Sequence, residues 1–189
     1  KGTFCHIKMC DIENDEPKQF PIEGNRFAQV STENFSQIPG MPIAYWVSEK
    51  MSDIFIAEKK LEDYTLFRQG MATSDNERFL RYWHEVNIQK IGFNISDLDE
   101  SKKSLMKWFP YNKGGEFKKW FGNNDLVVNW ENDGAEMKEF TATLSQGMNV
   151  RLKSREYYFK EGFTWSALTS GNISVRYSPK GFIFDTKGS

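Results

Sequence analysis

The sequence predicts an α+β fold of mixed strands and short helices, with strands concentrated toward its C-terminal end. Three observations lead there. Runs rich in aromatic and β-branched residues recur near both ends, helical spacing of apolar residues is confined to short stretches between them, and Gly, Pro, Asn and Asp punctuate the chain too often for a long helix. With 189 residues, 39% hydrophobic and 15% aromatic, the chain has enough apolar mass for a core, and its composition excludes global disorder. No apolar run approaches the length of a membrane span.

Residues 1–30 predict a strand, an exposed acidic connection at 11–17 and a second strand. Residues 38–42, Ile-Pro-Gly-Met-Pro, form a rigid non-helical bend and a candidate domain boundary. A short helix is expected over 43–55, where Ala44, Val47, Met51 and Phe55 recur at helical spacing. A second is expected over 73–86, capped by Ser74 or Asp75, with Phe79, Leu80, Trp83 and Val86 on one face and Arg78 and Arg81 beside it. Further on come a short helix near 97–105, a strand at 126–130, a helix at 131–140, and β-prone stretches at 164–168, 173–177 and 182–184. Residues 3–9 and 181–189 read as strands interrupted in mid-element, so the expectation is a piece of a longer protein.

Two cysteines, Cys5 and Cys10, are too few for a disulfide scaffold, and a reducing, cytoplasmic setting is the default. Together with His6 they lack the four convergent ligands of a structural zinc site, and no metal is expected. Charge is informative by segment. Residues 1–67 carry 7 basic and 11 acidic side chains, 68–120 carry 10 and 7, 121–149 carry 1 and 5, and 150–189 carry 7 and 3. Two basic blocks thus flank an acidic one, a pattern that suits a basic face for a polyanion as well as ordinary surface scatter.

Motifs of nucleotide-binding loops, metalloproteases and nucleophile elbows are missing from the sequence. So is the Asn/Asp-Pro-Pro-aromatic motif by which adenine methyltransferases grip a flipped base; Phe109-Pro-Tyr111 lacks both its leading residue and its second proline. The strongest positive signal is residues 107–122, in which six of sixteen side chains are aromatic and four are lysine, with a turn expected at Gly114-Gly115. Lysines neutralise phosphates while aromatic rings stack on bases; the alternative is aromatic core with lysines on the wet face. Residues 73–81 equally suit a capped helix end that meets DNA or an ordinary amphipathic helix. Trp165, Ser166, Ser170 and Asn172 form a polar patch around a glycine turn.

Four stretches resemble the PglX family of adenine-specific DNA methyltransferases of BREX phage-defence systems. They are residues 38–48 (IPGMPIAYWVS), residues 70–86 (GMATSDNERFLRYWHEV), residues 107–122 continuing into 129–134 (NWENDG), and residues 158–166 (YFKEGFTWS) with 176–185 (RYSPKGFIFD). Gly70, Thr73, Asp75 and Asn76 match a Gly-x-x-Thr-x-Asp-Asn pattern at the entry to the family's recognition region. The resemblance implies that residues 1–45 are the tail of the methyltransferase domain and a linker. It implies that residues 46–189 belong to a target-recognition region of the TaqI-like or type I-like kind, stopping before its expected end. S-adenosyl-L-methionine would serve the parent enzyme, with no cofactor or catalytic residue in this piece.

Double-stranded DNA is then the expected partner. Arg78, Arg81, Lys113, Lys118, Lys119 and Arg176 are the candidates for phosphate contacts. Asn76, Tyr111, Asn112, Trp120 and Trp165 are those for base edges or stacking, with Thr73 and Ser166 at the same surface. The rival expectation is a protein-interaction module docking other defence subunits or a DNA-mimicking phage inhibitor. A third is the specificity segment of a fused restriction-modification enzyme.

Overall fold

Capping side chains and left-handed turn residues break this chain into short elements. The structure, a computed structural model, describes residues 2–20, 27–38, 40–167 and 171–186, with the backbone alone at 27 and 28. The chain divides into two units, Lys1–Thr65 and Leu66–Ser189. Among the described residues no helix is long and apolar enough to cross a membrane.

In the first unit, β1 (Gly2–Cys5) pairs antiparallel with β4 (Phe27–Val30), in register Gly2 with Val30. The acidic connection folds into a miniature hairpin of β2 (Ile12–Glu13) and β3 (Glu16–Pro17). Asn14 and Asp15 turn it with φ of 52° and 64°, the left-handed pair that matches strand twist. The Phe4 ring stacks on Tyr45 at 5.2 Å, and His6 Nδ1 lies 3.0 Å from the Tyr45 hydroxyl. The expected helix at 43–55 begins later, as α1 (Glu49–Ala57), because Ser48 supplies the cap: its hydroxyl accepts from the Met51 amide at 3.3 Å. Ahead of that cap, residues 44–47 form a turn closed by the Val47 amide on the Ala44 carbonyl. α1 packs against the 3-10 turn Thr32–Gln37, so the 38–42 bend lies inside the first unit and the packing breaks after Thr65.

The second unit is built on a four-stranded sheet. Its members are β5 (Leu80–Tyr82), β6 (Trp108–Asn112), β7 (Leu126–Asn129) and β10 (Ile183–Phe184), in the order β10-β6-β7-β5. β6 and β7 are antiparallel, as are β7 and β5, and β10 runs parallel to β6. Pro110 is tolerated within β6 because the neighbouring edge passes there from Ile91, bridged to Trp108, to β10, paired from Tyr111 onward. The missing N–H therefore falls at a gap in the ladder.

Helices α2 (Asn76–Phe79), α3 (Leu98–Lys103), α4 (Glu131–Ala142) and α5 (Gly147–Arg151) complete the body, with the separate hairpin of β8 (Gly162–Trp165) and β9 (Val175–Ser178). The expected helix over 73–86 survives only as α2. Asp75 caps it, accepting from the Arg78 amide at 3.0 Å, but from Leu80 the chain pairs with β7 as a strand. Sheet pairing overrides the helical spacing here because Leu80 and Phe79 reach the core either way.

The core joins Phe79, Phe109, Tyr111, Val128, Trp130, Met137, Leu152, Tyr158, Phe159 and Ile183. Edge-on ring contacts at 5.5 Å link Trp130 to Tyr158 and Phe109 to Phe159. Next to Trp130 the chain makes an unusual turn: Asn132, Asp133 and Gly134 are all left-handed. A side chain at Gly134 would meet the Trp130 ring at 2.5 Å, so the tight approach of turn and indole admits only glycine. We expect Gly134→Ala to destabilise the fold by roughly 2–4 kcal/mol in urea unfolding. Gly162→Ala, with nothing within 4 Å of the new methyl, should stay within about 0.5 kcal/mol. Equal losses would remove the turn–indole contact from this account.

Two buried tyrosines have opposite hydrogen-bond status. Tyr111 donates to the Met71 carbonyl at 3.1 Å, whereas the Tyr158 hydroxyl is buried without a partner among the described residues. Burial pushes both phenols up, and nearby Asp185 adds to the effect at Tyr111. A raised folded-state value means that stability is intact below the unfolded tyrosine value, about pH 10, and is lost as pH rises beyond it. Tyr111→Phe should cost about 0.5–1.5 kcal/mol at neutral pH, whereas Tyr158→Phe should be neutral or stabilising. Both should soften the alkaline loss in unfolding midpoints measured between pH 8 and 11. A neutral-pH loss for Tyr158→Phe as large as that for Tyr111→Phe would contradict this assignment.

Candidate nucleic-acid interface

The long connection between β6 and β7 is an exposed aromatic and basic segment of the second unit. The expected turn at Gly114-Gly115 lies within a wide loop, residues 113–125, that joins antiparallel β6 and β7, while Trp108 and Phe109 belong to β6. Side chains and backbone pin the loop. Asn123 Nδ2 donates to the Glu116 carbonyl at 3.1 Å, and the Ser166 hydroxyl donates to the Gly115 carbonyl at 3.1 Å. The Trp120 amide donates to Val175 at 2.9 Å, and the Tyr177 amide donates back to Trp120 at 2.8 Å. The loop is thereby docked along the β8–β9 hairpin.

Arg176 is the strut beneath this docking. It is 2% exposed, and its Nη1 donates to Ser174 Oγ at 2.9 Å and Ser166 Oγ at 3.3 Å. Burial holds its guanidinium below the usual arginine range. Its charge thus supports Ser166, which in turn holds Gly115, and it has no surface to offer a phosphate in this conformation.

Above it, Trp120 is 73% exposed with φ of 73°, and Phe117 and Phe121 are exposed beside it. Lys119 Nζ lies 5.7 Å from the Phe117 ring centroid and 6.0 Å from that of Trp120. Lys118 is exposed and Lys113 half-buried, and among the described residues neither forms an ion pair, nor does Lys119.

The remaining candidates from the sequence are scattered. Asn76 is exposed and accepts from the buried Thr73 hydroxyl at 2.6 Å. Arg78 is exposed but ion-paired with Glu136 at 2.8 Å, its guanidinium over the Phe79 and Phe140 rings. Arg81 is half-buried and donates to the backbone carbonyls of Leu80 and Glu77. Although the chain turns to strand after Phe79, Arg81 reaches back to α2 through the Glu77 carbonyl, beside Arg78. Tyr111 is 1% exposed and Asn112 is buried against the Ser178 hydroxyl, so neither presents a face to a base here. Trp165 is half-buried, edge-on to Phe67 at 6.0 Å. Ser170 lies outside the described residues. Phe117 and Phe121 are added to the surface by the structure; aromatic residues in a lysine-rich loop were the available signal, but exposure is not encoded in residue type.

The second unit is thus an α+β scaffold that raises a basic, aromatic loop into solvent, a surface suited to polyanions and stacked bases. No family model matches the chain. It is 42% identical over 156 residues, 82% of its length, to the adenine-specific methyltransferase PglX of Lacticaseibacillus casei (strain Zhang). It is 37% identical over 180 residues, 94% of its length, to the adenine-specific methyltransferase BrxX of Escherichia coli O9:H4 (strain HS). The chain resembles a PglX-like segment across most of its residues, and it spans 13% and 14% of the length of these two relatives.

Replacing the strut and replacing the surface lysines should separate cleanly. Arg176→Ala removes two hydrogen bonds beneath the loop and should destabilise by roughly 1–3 kcal/mol in thermal unfolding. Lys118→Ala with Lys119→Ala should leave the midpoint within about 0.5 kcal/mol of the parent chain. A melting point unchanged by Arg176→Ala would place that side chain outside the load path of the hairpin.

Proposed function

We propose that this chain is a DNA-facing, non-catalytic part of a site-specific adenine-N6 DNA methyltransferase of a PglX-type phage-defence system. In this reading residues 1–45 close the methyltransferase domain and lead into the recognition region, TaqI-like or type I-like in kind, whose folded body is Leu66–Ser189. The observation that carries the proposal is the 113–121 loop, where Lys113, Lys118 and Lys119, without an ion pair among the described residues, share a segment with exposed Phe117, Trp120 and Phe121. Its support is the 37–42% identity to two adenine-specific methyltransferases. S-adenosyl-L-methionine and the methyl-transfer chemistry belong to the rest of the parent protein, since this sequence holds no Asn/Asp-Pro-Pro-aromatic motif.

The chemistry assigned to this chain is positional. Lys113, Lys118 and Lys119 neutralise phosphates and release counterions, while Trp120 and its neighbours supply faces for stacking or wedging between base steps. Asn76 and Arg78 offer polar contacts at a separate point, Arg78 only when its pairing with Glu136 opens. One observation favours a protein-interaction role as well: Met41, Ile43, Trp46, Ile54 and Ile56 of the first unit are all exposed. Other defence subunits are the partners such exposed apolar side chains would take, while a DNA-mimicking phage inhibitor would compete at the lysines.

Fluorescence anisotropy with a labelled duplex, titrated across salt, tests the DNA reading. Lys118→Ala with Lys119→Ala should weaken binding to all duplexes alike and reduce the steepness of log K against log salt by about 1–2. An unchanged slope would take these lysines out of the interface.

A further inference from the structure

We infer that the second unit carries a separate binding cleft for a phosphate joined to an aromatic base. The cleft is lined by Leu66, Arg68, Tyr157, Lys160, Phe163 and Thr164, among others, is partly open to solvent and has a cavity volume of about 120 Å³. That is smaller than the roughly 300–1,000 Å³ of enclosed small-molecule sites, so a ligand lies along the cleft and extends into solvent.

The cations are prearranged. The Arg68 guanidinium lies 4.8 Å from the Tyr157 ring centroid; its Nη2 donates to the Tyr157 hydroxyl at 3.2 Å and its Nη1 to the Phe67 carbonyl at 2.9 Å. Lys160 Nζ lies 5.2 Å from the same ring. Two positive charges therefore crowd one tyrosine, and among the described residues neither is paired with a carboxylate. Glu161, the carboxylate in the lining, accepts from the Tyr177 hydroxyl at 2.9 Å. A cation with no carboxylate paired to it remains available to an anion at the cleft, and a guanidinium held by two hydrogen bonds beside an aromatic ring loses little freedom on binding one.

The apolar part specifies what the anion is attached to. Phe163 is 62% exposed at the cleft and lies edge-on to Tyr177 at 6.2 Å, and Phe184 adds a further aromatic wall. A flat π surface beside two cations matches a nucleoside phosphate, with base against ring and phosphate against Arg68 and Lys160. The same chemistry occurs in a free nucleotide and in an unpaired nucleotide of a DNA strand. This inference goes beyond the DNA-facing loop and does not rest on it: none of the cleft residues lies within 113–121.

The test uses the full 189-residue chain, ¹⁵N-labelled, with the amide signals of Gly162 and Thr164 as reporters. The probes are dAMP, deoxyadenosine, inorganic phosphate and a short single-stranded oligonucleotide. We expect saturable shifts with dAMP or the oligonucleotide, and at least tenfold weaker binding of deoxyadenosine and of phosphate alone. Tighter binding of dAMP identifies a free nucleotide as the ligand, and tighter binding of the oligonucleotide identifies a strand. Lys160→Ala, at an exposed position, should weaken the bound probe at least tenfold without moving the unfolding midpoint, and Arg68→Gln should do the same where it folds. No saturable shift with either nucleotide probe, equal binding of phosphate alone, or full affinity in Lys160→Ala would overturn the proposal. Because the duplex salt slope reads Lys118 and Lys119, failure here and failure of the DNA-facing reading are distinguishable.

Discussion

The second unit depends on how the backbone at Gly70 and Met71 is stitched into the sheet. The Met71 amide donates to the Phe184 carbonyl at 2.8 Å, and its own carbonyl accepts from the Thr186 amide at 3.1 Å and from the Tyr111 hydroxyl. Its neighbour Ala72 donates to the Arg151 carbonyl at 2.7 Å. Two adjacent residues thus join the β10 edge, the central strand β6 and the end of α5, while the fully buried Met71 side chain enters the core. The approach is close enough that a β-carbon at Gly70 would fall 2.1 Å from the Phe184 carbonyl oxygen. This gives a physical reason for the Gly-x-x-Thr-x-Asp-Asn pattern of residues 70–76. Glycine permits the stitch, Thr73 ties to Asn76, and Asp75 caps the helix that follows.

From that stitch the rest of the unit follows by hydrogen-bond accounting. Asp75 starts α2, β7 captures the chain at Leu80, and Glu136 of α4 ties Arg78 and Asn129 together at 2.8 and 2.9 Å. The β8–β9 hairpin then provides the rail on which the 113–125 loop lies. A guanidinium in such a position is a structural element: it is worth most where its donors are all engaged, and it is least available to a ligand there. Charge counted along the sequence therefore overstates the free positive surface. Arg78, Arg81 and Arg176 are occupied within the fold, and among the described residues the loop lysines form no ion pair.

Some elements were legible because their signals are local. The short helix near 97–105, Asp75 as cap of α2, the exposed acidic connection at 11–17 and the strand pattern of β7 each depend on residues close to one another in the chain. The expected helix across 73–86 was not decided locally. Its apolar spacing fits both a helix face and a strand entering a core, and the choice was made by β7, more than forty residues away. The left-handed run at 132–134 was also hidden, because Asn and Asp at positive φ are common in turns but rarely adjacent at a helix start.

The sequence alone determined the α+β class, the resemblance to PglX-type methyltransferases, the absence of a base-gripping motif and the concentration of lysine and aromatic residues in one loop. These are properties of composition and order along the chain. Tertiary structure decided which side chains remain available. Tyr111 and Trp120 are aromatic residues nine positions apart in the same basic stretch, yet one is sealed in the core and the other stands 73% exposed. Arg176 lies under the loop, while Arg68 and Lys160, far apart in sequence, both lie against the Tyr157 ring. Availability depends on which strand pairs with which and what packs behind it, and those contacts join residues too distant in sequence for any local pattern to record.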